Sequence, residues 1–337
     1  MSFFKKILPT LILSLLVYGW YFLFFQNVHP ASLNVLGANT NLVLYQQPES
    51  GSKPIVDAIG SANKEVLVEV YLLSDKDIIN ALKDAEDRGI KVMVMMEEHP
   101  FGGAGLNPKT KQTLDENGVI TKWTNPAFAL THEKAIVIDG TYAFIMTQNL
   151  TTSAFSKNRE YDILDTNQRD VSEIRNIFIA DWDRKTFSPS GNTNIIESPD
   201  NSRAALTTLV NDARETIDIE AENIGDKMFI GLLSKKARSE RVRLIVPSLS
   251  QLASNEPKLI ELIGSGVRIK TISSPYMHAK MIISDNKKAY IGSINFSSQS
   301  MDENREVGII ITQYDILQIL STTFENDWSK AKTYIAY

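Results

Sequence analysis

The chain has 337 residues, of which 43% are hydrophobic and 22% charged, as in folded globular proteins with room for two domains. Its net charge of −5 and pI near 5.5 exclude the overall basic field that nonspecific nucleic-acid binders use. The sequence contains no cysteine, which excludes disulfides, thiolate catalysis and cysteine-bound metals.

The first predicted element is a membrane anchor in residues 1–26. Lys5 and Lys6 precede an uncharged run at 7–25, which at about 1.5 Å per residue approaches the roughly 30 Å of a bilayer core. The run ends in aromatic residues instead of a small-residue cleavage site, which favours an uncleaved segment. By the positive-inside rule we predict a single-pass membrane protein whose remaining residues lie on the extracytoplasmic side.

The rest of the chain contains an internal repeat. Residues 58–82 resemble 209–233 at a constant offset of 151, and 131–163 resemble 277–309 at an offset of 146 without a gap. Strand-like and helix-like periodicities alternate in each copy, which predicts α/β layers over a sheet.

The repeat also predicts the domain boundaries. The segment between the copies is rich in Ser, Pro, Asn and Gly, as linkers are. We predict a first α/β domain at 41–186, a linker at 187–201 and a second, similar domain at 202–337. The two domains are expected to pack about a pseudo-twofold axis.

Five polar residues recur in both copies. They are His132, Lys134, Asp139, Asn149 and Glu160 in the first, and His278, Lys280, Asp285, Asn295 and Glu306 in the second. A histidine and a lysine two apart on a strand point to one face. A turn at Asp285-Asn286 would return the chain and bring Ser293 and Asn295 beside them. Imidazole, ammonium, hydroxyl and amide groups together suit a phosphate.

Two such sets facing each other would surround one phosphate. One imidazole can then attack phosphorus while the other protonates the departing oxygen. A buried carboxylate on the far nitrogen would orient each ring, and Glu160 and Glu306 are the candidates. The alternative is that the aspartates and asparagines are turn residues and each Arg-Glu a surface ion pair. Joint retention of all five identities in both copies favours a site.

These residues resemble the HKD signature of the phospholipase D superfamily. The second copy has His-x-Lys, Asp and Gly-Ser-x-Asn at 278–295, and the first matches at His132, Lys134, Asp139 and Asn149. The resemblance covers 41–337 and implies two domains, each a mixed sheet flanked by helices, whose motifs meet in one site. It also implies phosphohistidine chemistry without a metal or cofactor, with the lysines and asparagines binding the phosphate.

The first copy departs from the signature in having Met146-Thr147 where the second has Gly292-Ser293. The hydroxyl is kept, so Thr147 and Ser293 are predicted to contact the phosphate or the supporting glutamate. The bulk of Met146 is expected to narrow or shift the first half of the site. Which histidine is the nucleophile stays open.

Other segments have simpler interpretations. Residues 99–108 are expected to form a loop over the site, with His99 exposed, because they match no phosphate-binding fingerprint. Trp182 and Trp328 are predicted to pack in the core. Residues 92–96 are predicted to be a buried strand.

Three functions fit the sequence. The favoured one is a membrane-anchored phosphodiesterase or phosphatidyltransferase acting on phospholipids, with the bilayer and the substrate as partners and no obligate protein partner. The second is an extracytoplasmic nuclease, which would need a basic groove. Its loose candidates are Lys109, Lys111, Lys122, Lys157, Arg159, Lys287 and Lys288. The third is a non-catalytic binding protein whose first half has decayed.

Overall fold

The computed structural model describes residues 41–103, 105–251, 253 and 256–335. The predicted membrane anchor at 1–26 lies outside these residues. Among the described helices, none is both long and apolar enough to span a bilayer. Residues 41–337 form one compact unit, so the two predicted domains are here called the first half (41–186) and the second half (187–337).

The first half alternates strands and helices as the periodicity predicts. Its elements are β1 (Leu42–Gln47), α1 (Lys53–Gly60), β2 (Glu65–Val70), α2 (Lys76–Asp87), β3 (Lys91–Met96), α3 (Leu106–Asp115), β4 (Ile120–Trp123), β5 (Lys134–Ile138), β6 (Tyr142–Met146), α4 (Thr152–Lys157), β7 (Asn158–Asp165) and α5 (Gln168–Trp182). All but the first residue of β3 are buried, which confirms the buried strand predicted at 92–96.

The second half repeats this order. Its elements are β8 (Ile195–Ser198), α6 (Ser202–Asp212), β9 (Thr216–Ala221), α7 (Lys227–Lys236), β10 (Arg241–Pro247), α8 (Glu256–Gly264), β11 (Arg268–Ile272), β12 (Tyr276–Met277), β13 (Lys280–Ser284), β14 (Lys288–Gly292), α9 (Ser298–Asp302), β15 (Glu306–Ile311), α10 (Tyr314–Lys330) and β16 (Lys332–Thr333). The expected linker is shorter than 187–201, because β8 lies within it and pairs with β15.

The two sheets share one strand order. The first is β1-β7-β6-β5-β2-β3-β4, and the second is β8-β15-β14-β13-β9-β10-β11 with β16 added at its edge. Each sheet is mixed, since β2 pairs in parallel with β3 but antiparallel with β5. The short strand β12 leaves its own half and pairs with β7 of the first. This crossing joins the halves next to the repeated motifs.

The core forms three layers. Inward-facing residues of both sheets, such as Val137 and Met281, pack with α5 and α10 in one shared cluster. The outer faces of the sheets are covered separately, by α1 to α3 in the first half and by α6 to α8 in the second. Trp182 is buried in the shared cluster and Trp328 packs against it, as predicted.

Candidate active site

Two equivalent hairpins carry the repeated motifs. In β5–β6 and β13–β14, three-residue loops join the strands. The loops place Asp139, Asp285 and Asn286 at φ of 55°, 53° and 52°, a left-handed conformation that Asp and Asn tolerate better than most residues. The chain therefore turns at Asp285-Asn286, where the sequence predicts it.

The two aspartates of the motifs serve these turns. Asp139 accepts hydrogen bonds from the backbone amides of residues 63–65, and Asp285 from those of 214–216. At roughly 3.3 Å per residue, Asp139 is about 16 Å along the strand from Lys134. These contacts correct the expectation that both aspartates are catalytic, because they fasten the far end of each hairpin to the sheet.

Each histidine is held by a glutamate of the other half. Nδ1 of His132 lies 2.9 Å from Oε2 of Glu306, and Nδ1 of His278 lies 2.7 Å from Oε1 of Glu160. Both glutamate side chains are fully buried. A carboxylate only accepts, so each ring donates from Nδ1 and leaves Nε2 for the substrate. The sequence identified these glutamates but did not indicate that the pairs cross between the halves.

The asparagine two residues before each of these glutamates donates a hydrogen bond to its carboxylate. Nδ2 of Asn158 donates to Oε1 of Glu160 at 2.9 Å, and Nδ2 of Asn304 donates to Oε1 of Glu306 at 3.1 Å. Burial would raise the pKa of both glutamates, but the adjacent histidine and lysine lower it. The carboxylates thus stay ionised beside the rings they orient.

The arginine between this asparagine and the glutamate forms an ion pair with an aspartate of the other half. Nε of Arg159 lies 2.6 Å from Asp327, and Nε of Arg305 lies 2.8 Å from Asp181. All four side chains are buried, so the surface ion-pair interpretation is wrong, and Arg159 is not available to a basic groove. The aspartates were missed, although both occupy one position of the repeated segments ending in Asp-Trp.

Both lysines are buried beside the histidine rings. Nζ of Lys134 donates to the carbonyl of His132 and lies 5.1 Å above the ring of Tyr71. Nζ of Lys280 donates to the carbonyl of His278 at 2.6 Å and to Glu222 at 3.1 Å. Burial, followed by the charge of Lys280, lowers the pKa of Lys134 to about 7. The two ammonium groups therefore adjoin in one cationic site.

The two histidines have different surroundings. Burial and then Lys134 lower the pKa of His132 to about 4, against the opposing effect of Glu306. His278 has a carboxylate at each ring nitrogen, because Oε2 of Glu222 lies 3.3 Å from its Nε2. The ammonium group of Lys280 also lies 3.2 Å from Nδ1 and 3.4 Å from Nε2 of this ring. The lowered pKa of His132 suits it to attack, which leaves the role of acid in a two-histidine reaction to His278.

Glu222 and Tyr71 were not predicted to belong to the site. Glu222 directly follows β9, and Tyr71 directly follows β2. Burial would raise the pKa of Glu222, but His278 and Lys280 hold it at about 2. The offset of 151 aligns these two positions. The difference between tyrosine and glutamate there was the one sequence feature that could have indicated that the two half sites are unlike.

The hydroxyl groups of Thr147 and Ser293 make hydrogen bonds inside the protein, next to the site. Oγ1 of Thr147 donates to Oε2 of Glu160 at 2.6 Å. Oγ of Ser293 instead exchanges hydrogen bonds with the backbone of Val307. Both residues are fully buried. The amide oxygens of Asn149 and Asn295 are buried and have no hydrogen-bond partner among the described residues. The asparagine side chains thus have hydrogen-bonding capacity left for a ligand, and a phosphate oxygen would be bound through their Nδ2 donors.

Met146 points away from the chemistry. Its side chain lies in the outer core of the first half, with Phe144 among its neighbours. In the second half a Cβ on Gly292 would clash with Cα of Gly308 and lie 2.6 Å from the carbonyl oxygen of Val307 and 2.7 Å from the hydroxyl of Tyr290. Glycine is thus required there by close backbone approach, whereas the methionine of the first half is accommodated in the core.

The loop after β3 approaches the site as expected. The backbone amide of Phe101 donates to the hydroxyl of Tyr71, and the ring of Tyr71 lies 4.8 Å from that of His132. His99 is exposed, in agreement with its interpretation as a loop residue.

One group of carboxylates could hold a cation. Oxygen atoms of Glu69, Glu133 and Asp181 lie within 4.8 Å of one another, although the sequence showed no carboxylate cluster. The guanidinium of Arg305 already pairs with Asp181. Burial, followed by Asp181, raises the pKa of Glu133 to about 8. Protonation and the positive charge of Arg305 can therefore offset the negative charge of these three carboxylates.

Comparison with known proteins agrees with this geometry. The family model described as "Cardiolipin synthase, PLD-like domain" matches residues 55–182 and 206–328, which together make up most of the chain. The chain therefore belongs to the phospholipase D superfamily.

Individual relatives are distant. Cardiolipin synthase 1 of Bacillus anthracis is 21% identical over 323 residues, covering 81% of this chain and 64% of the relative. The chain thus spans less than two thirds of that protein's length. Phosphatidylserine synthase of Haemophilus influenzae shares the fold with a TM-score of 0.65 at 12% identity, over 87% of each chain. Polyphosphate kinase of Porphyromonas gingivalis also shares the fold, with a TM-score of 0.66 at 16% identity, over 88% of this chain and 52% of the kinase.

Proposed function

We propose that this protein is a membrane-anchored enzyme of the phospholipase D type that acts on phospholipids, transferring the phosphatidyl group to water or an alcohol. The observation that carries the proposal is the pair of crossed histidine–glutamate contacts, 2.9 and 2.7 Å long, around two buried lysines. Both half sites keep their histidine, lysine and glutamate, which does not favour a decayed, non-catalytic protein. The names of the cardiolipin and phosphatidylserine synthases support a lipid substrate.

The proposed reaction has two steps. Nε2 of His132 attacks phosphorus, the bond from phosphorus to the headgroup oxygen breaks, and Nε2 of His278 gives its proton to that oxygen. Water or an alcohol then passes a proton to His278 while its oxygen displaces His132 from phosphorus. Lys134 and Lys280, with Asn149 and Asn295, bind the phosphate oxygens.

The charges do not favour a nuclease. Lys111 pairs with Asp115, Lys288 pairs with Asp212, and Arg159 is buried. Glu222 adds a carboxylate to the site itself. These contacts engage three of the seven cations that could form a nucleic-acid groove.

The test is incubation of the full-length protein in detergent micelles with labelled phosphatidylglycerol, phosphatidylcholine and single-stranded DNA. We expect release or exchange of a lipid headgroup, unaffected by a chelator, and its loss in His132→Ala and His278→Ala. His99→Ala, an exposed histidine outside the site, is the matched control. Nucleotide release without lipid turnover would contradict the proposed substrate, and activity in both active-site variants would contradict the mechanism.

Anchoring and topology are tested separately. We propose that residues 1–26 anchor the protein and that the catalytic part is extracytoplasmic, on the sequence evidence of an apolar run after Lys5 and Lys6. Protease added to intact cells should digest residues 41–337. Protection of this part until the cells are lysed would contradict the topology.

A further inference from the structure

The two half sites differ at one position of their walls. Tyr71 and Glu222 occupy equivalent places after β2 and β9, at the offset of 151. The ring of Tyr71 covers Lys134 and meets the edge of His132. Glu222 instead places a carboxylate on Lys280 and His278, at 3.1 and 3.3 Å. The second half site thus presents a hydrogen-bond acceptor where the first presents an aromatic ring.

This carboxylate faces the atom that would exchange protons with the alcohol. Glu160 occupies Nδ1 of His278, so Nε2 is the atom available to the substrate. Oε2 of Glu222 lies 3.3 Å from that Nε2. A substrate oxygen hydrogen-bonded to Nε2 can therefore also come within hydrogen-bond distance of Glu222. The side chain of Glu222 is 21% exposed, whereas those of Glu160 and Glu306 are fully buried.

A carboxylate at this place selects between ligand groups. It repels a phosphate oxygen and accepts hydrogen bonds from hydroxyl or ammonium groups. A bound phosphate would compete with Glu222 for Lys280, and Oε2 of Glu222 can then accept a hydrogen bond from a donor on the substrate. The hydroxyl of Tyr276, 3.3 Å from Oε1, holds the other carboxylate oxygen.

We propose that Glu222, held by Tyr276, recognises a hydroxyl or ammonium group next to the reacting oxygen of the alcohol, in the leaving headgroup or the incoming acceptor. This inference rests on the proposed function and narrows its substrates to phosphatidyl groups exchanged between polyols or amino alcohols. A simple alkanol has no second hydroxyl or ammonium group, so Glu222 would not increase its binding.

The test is an acceptor competition with the full-length protein and phosphatidylglycerol vesicles. Isotopically labelled glycerol, ethanolamine and 1-propanol compete for transfer, and the label counts glycerol that enters phosphatidylglycerol by exchange. 1-Propanol matches ethanolamine in size without its ammonium group. We expect Glu222→Gln to lower the preference for glycerol and ethanolamine over 1-propanol by about tenfold, the difference between a charge-assisted and a neutral hydrogen bond. Because the ratio is taken within one variant, a general loss of rate cancels. Tyr71→Phe, on the opposite wall, is the matched control and should keep the wild-type ratio.

Two outcomes would overturn the inference while leaving the proposed function intact. These are an equal loss of transfer to all three acceptors in Glu222→Gln, and a change of ratio as large in Tyr71→Phe. Absence of any lipid product from the wild type would instead contradict the proposed function. Binding then decides the inference, by calorimetry with phosphoethanolamine and n-propyl phosphate. Wild type should prefer phosphoethanolamine and Glu222→Gln should not, and equal affinities in the wild type would overturn the inference.

Discussion

Glu306, at the start of β15 in the second half, accepts a hydrogen bond from Nδ1 of His132 in the first half at 2.9 Å. The reverse contact joins Glu160 to His278. Neither half can therefore orient its own histidine, and the internal repeat is a requirement of the site. The strand β12 and the two buried arginine–aspartate pairs hold the halves at the distance that these contacts need.

Replacing Glu306 with glutamine tests the crossed pairing. The amide keeps the shape but no longer fixes the proton on Nδ1 of His132, so Nε2 is less often free to attack. We expect kcat to fall by about 10²-fold or more with little change in thermal stability. Steady-state kinetics on phosphatidylglycerol measure the loss. A drop below about threefold would show that the carboxylate does not set the tautomer.

The pH dependence of kcat/KM should report His132 and Lys134. Below about pH 4 His132 becomes protonated and cannot attack, and above about pH 7 Lys134 loses the charge that binds phosphate. The profile of the free enzyme should therefore be bell-shaped between these values. In Lys134→Arg the basic limb should move to higher pH, since a guanidinium stays charged. A basic limb unchanged in this variant would assign it to another group.

Asp139→Ala should destabilise the protein without removing its chemistry. The carboxylate fastens the β5–β6 loop to the amides of residues 63–65, and losing these hydrogen bonds should cost about 1–3 kcal/mol. Chemical denaturation measures the cost, and kcat per folded molecule should stay within about threefold. Asp285→Ala, the equivalent change in the second half, should behave alike. Loss of activity with unchanged stability would restore a catalytic role.

Glu133→Gln should stabilise the protein at high pH. Burial, followed by the nearby Asp181, raises the folded-state pKa of Glu133 to about 8, above that of the unfolded chain. Stability from this group is then present at low pH and is lost as pH rises from about 4.5 to 8. The variant should melt at least about 2 °C higher than wild type at pH 8 and equally at pH 5. A lower melting temperature at pH 8, or a rise in the wild type on adding Ca²⁺, would indicate a bound cation.

The residues of the site could be predicted from sequence because the fold uses them twice. His132, Lys134 and Glu160 are recognisable since His278, Lys280 and Glu306 repeat them at one offset. The crossing of the glutamates could not be predicted, because the repeat shows which residues are equivalent and not which half each one faces.

The same reliance on shared identities explains the errors. Asp139 and Asp285 recur because two equivalent hairpins need the same turn, so retention alone suggested a shared chemistry. Glu222 was missed because it differs from Tyr71, so the two equivalent positions share no polar identity. The contact between Glu133, Glu69 and Asp181 depends on packing between strands and a helix that are distant in the chain.

The most direct test of the account is to locate the covalent phosphatidyl group on the protein. A phosphatidyl ester of p-nitrophenol needs no acid to expel its leaving group, so His278→Ala should release p-nitrophenol once per molecule and retain the adduct. Mass spectrometry after an alkaline quench should place the adduct on His132, and His132→Ala should form none. An adduct on His278 in the His132→Ala protein, or no adduct in either variant, would contradict the assignment of His132 as the nucleophile.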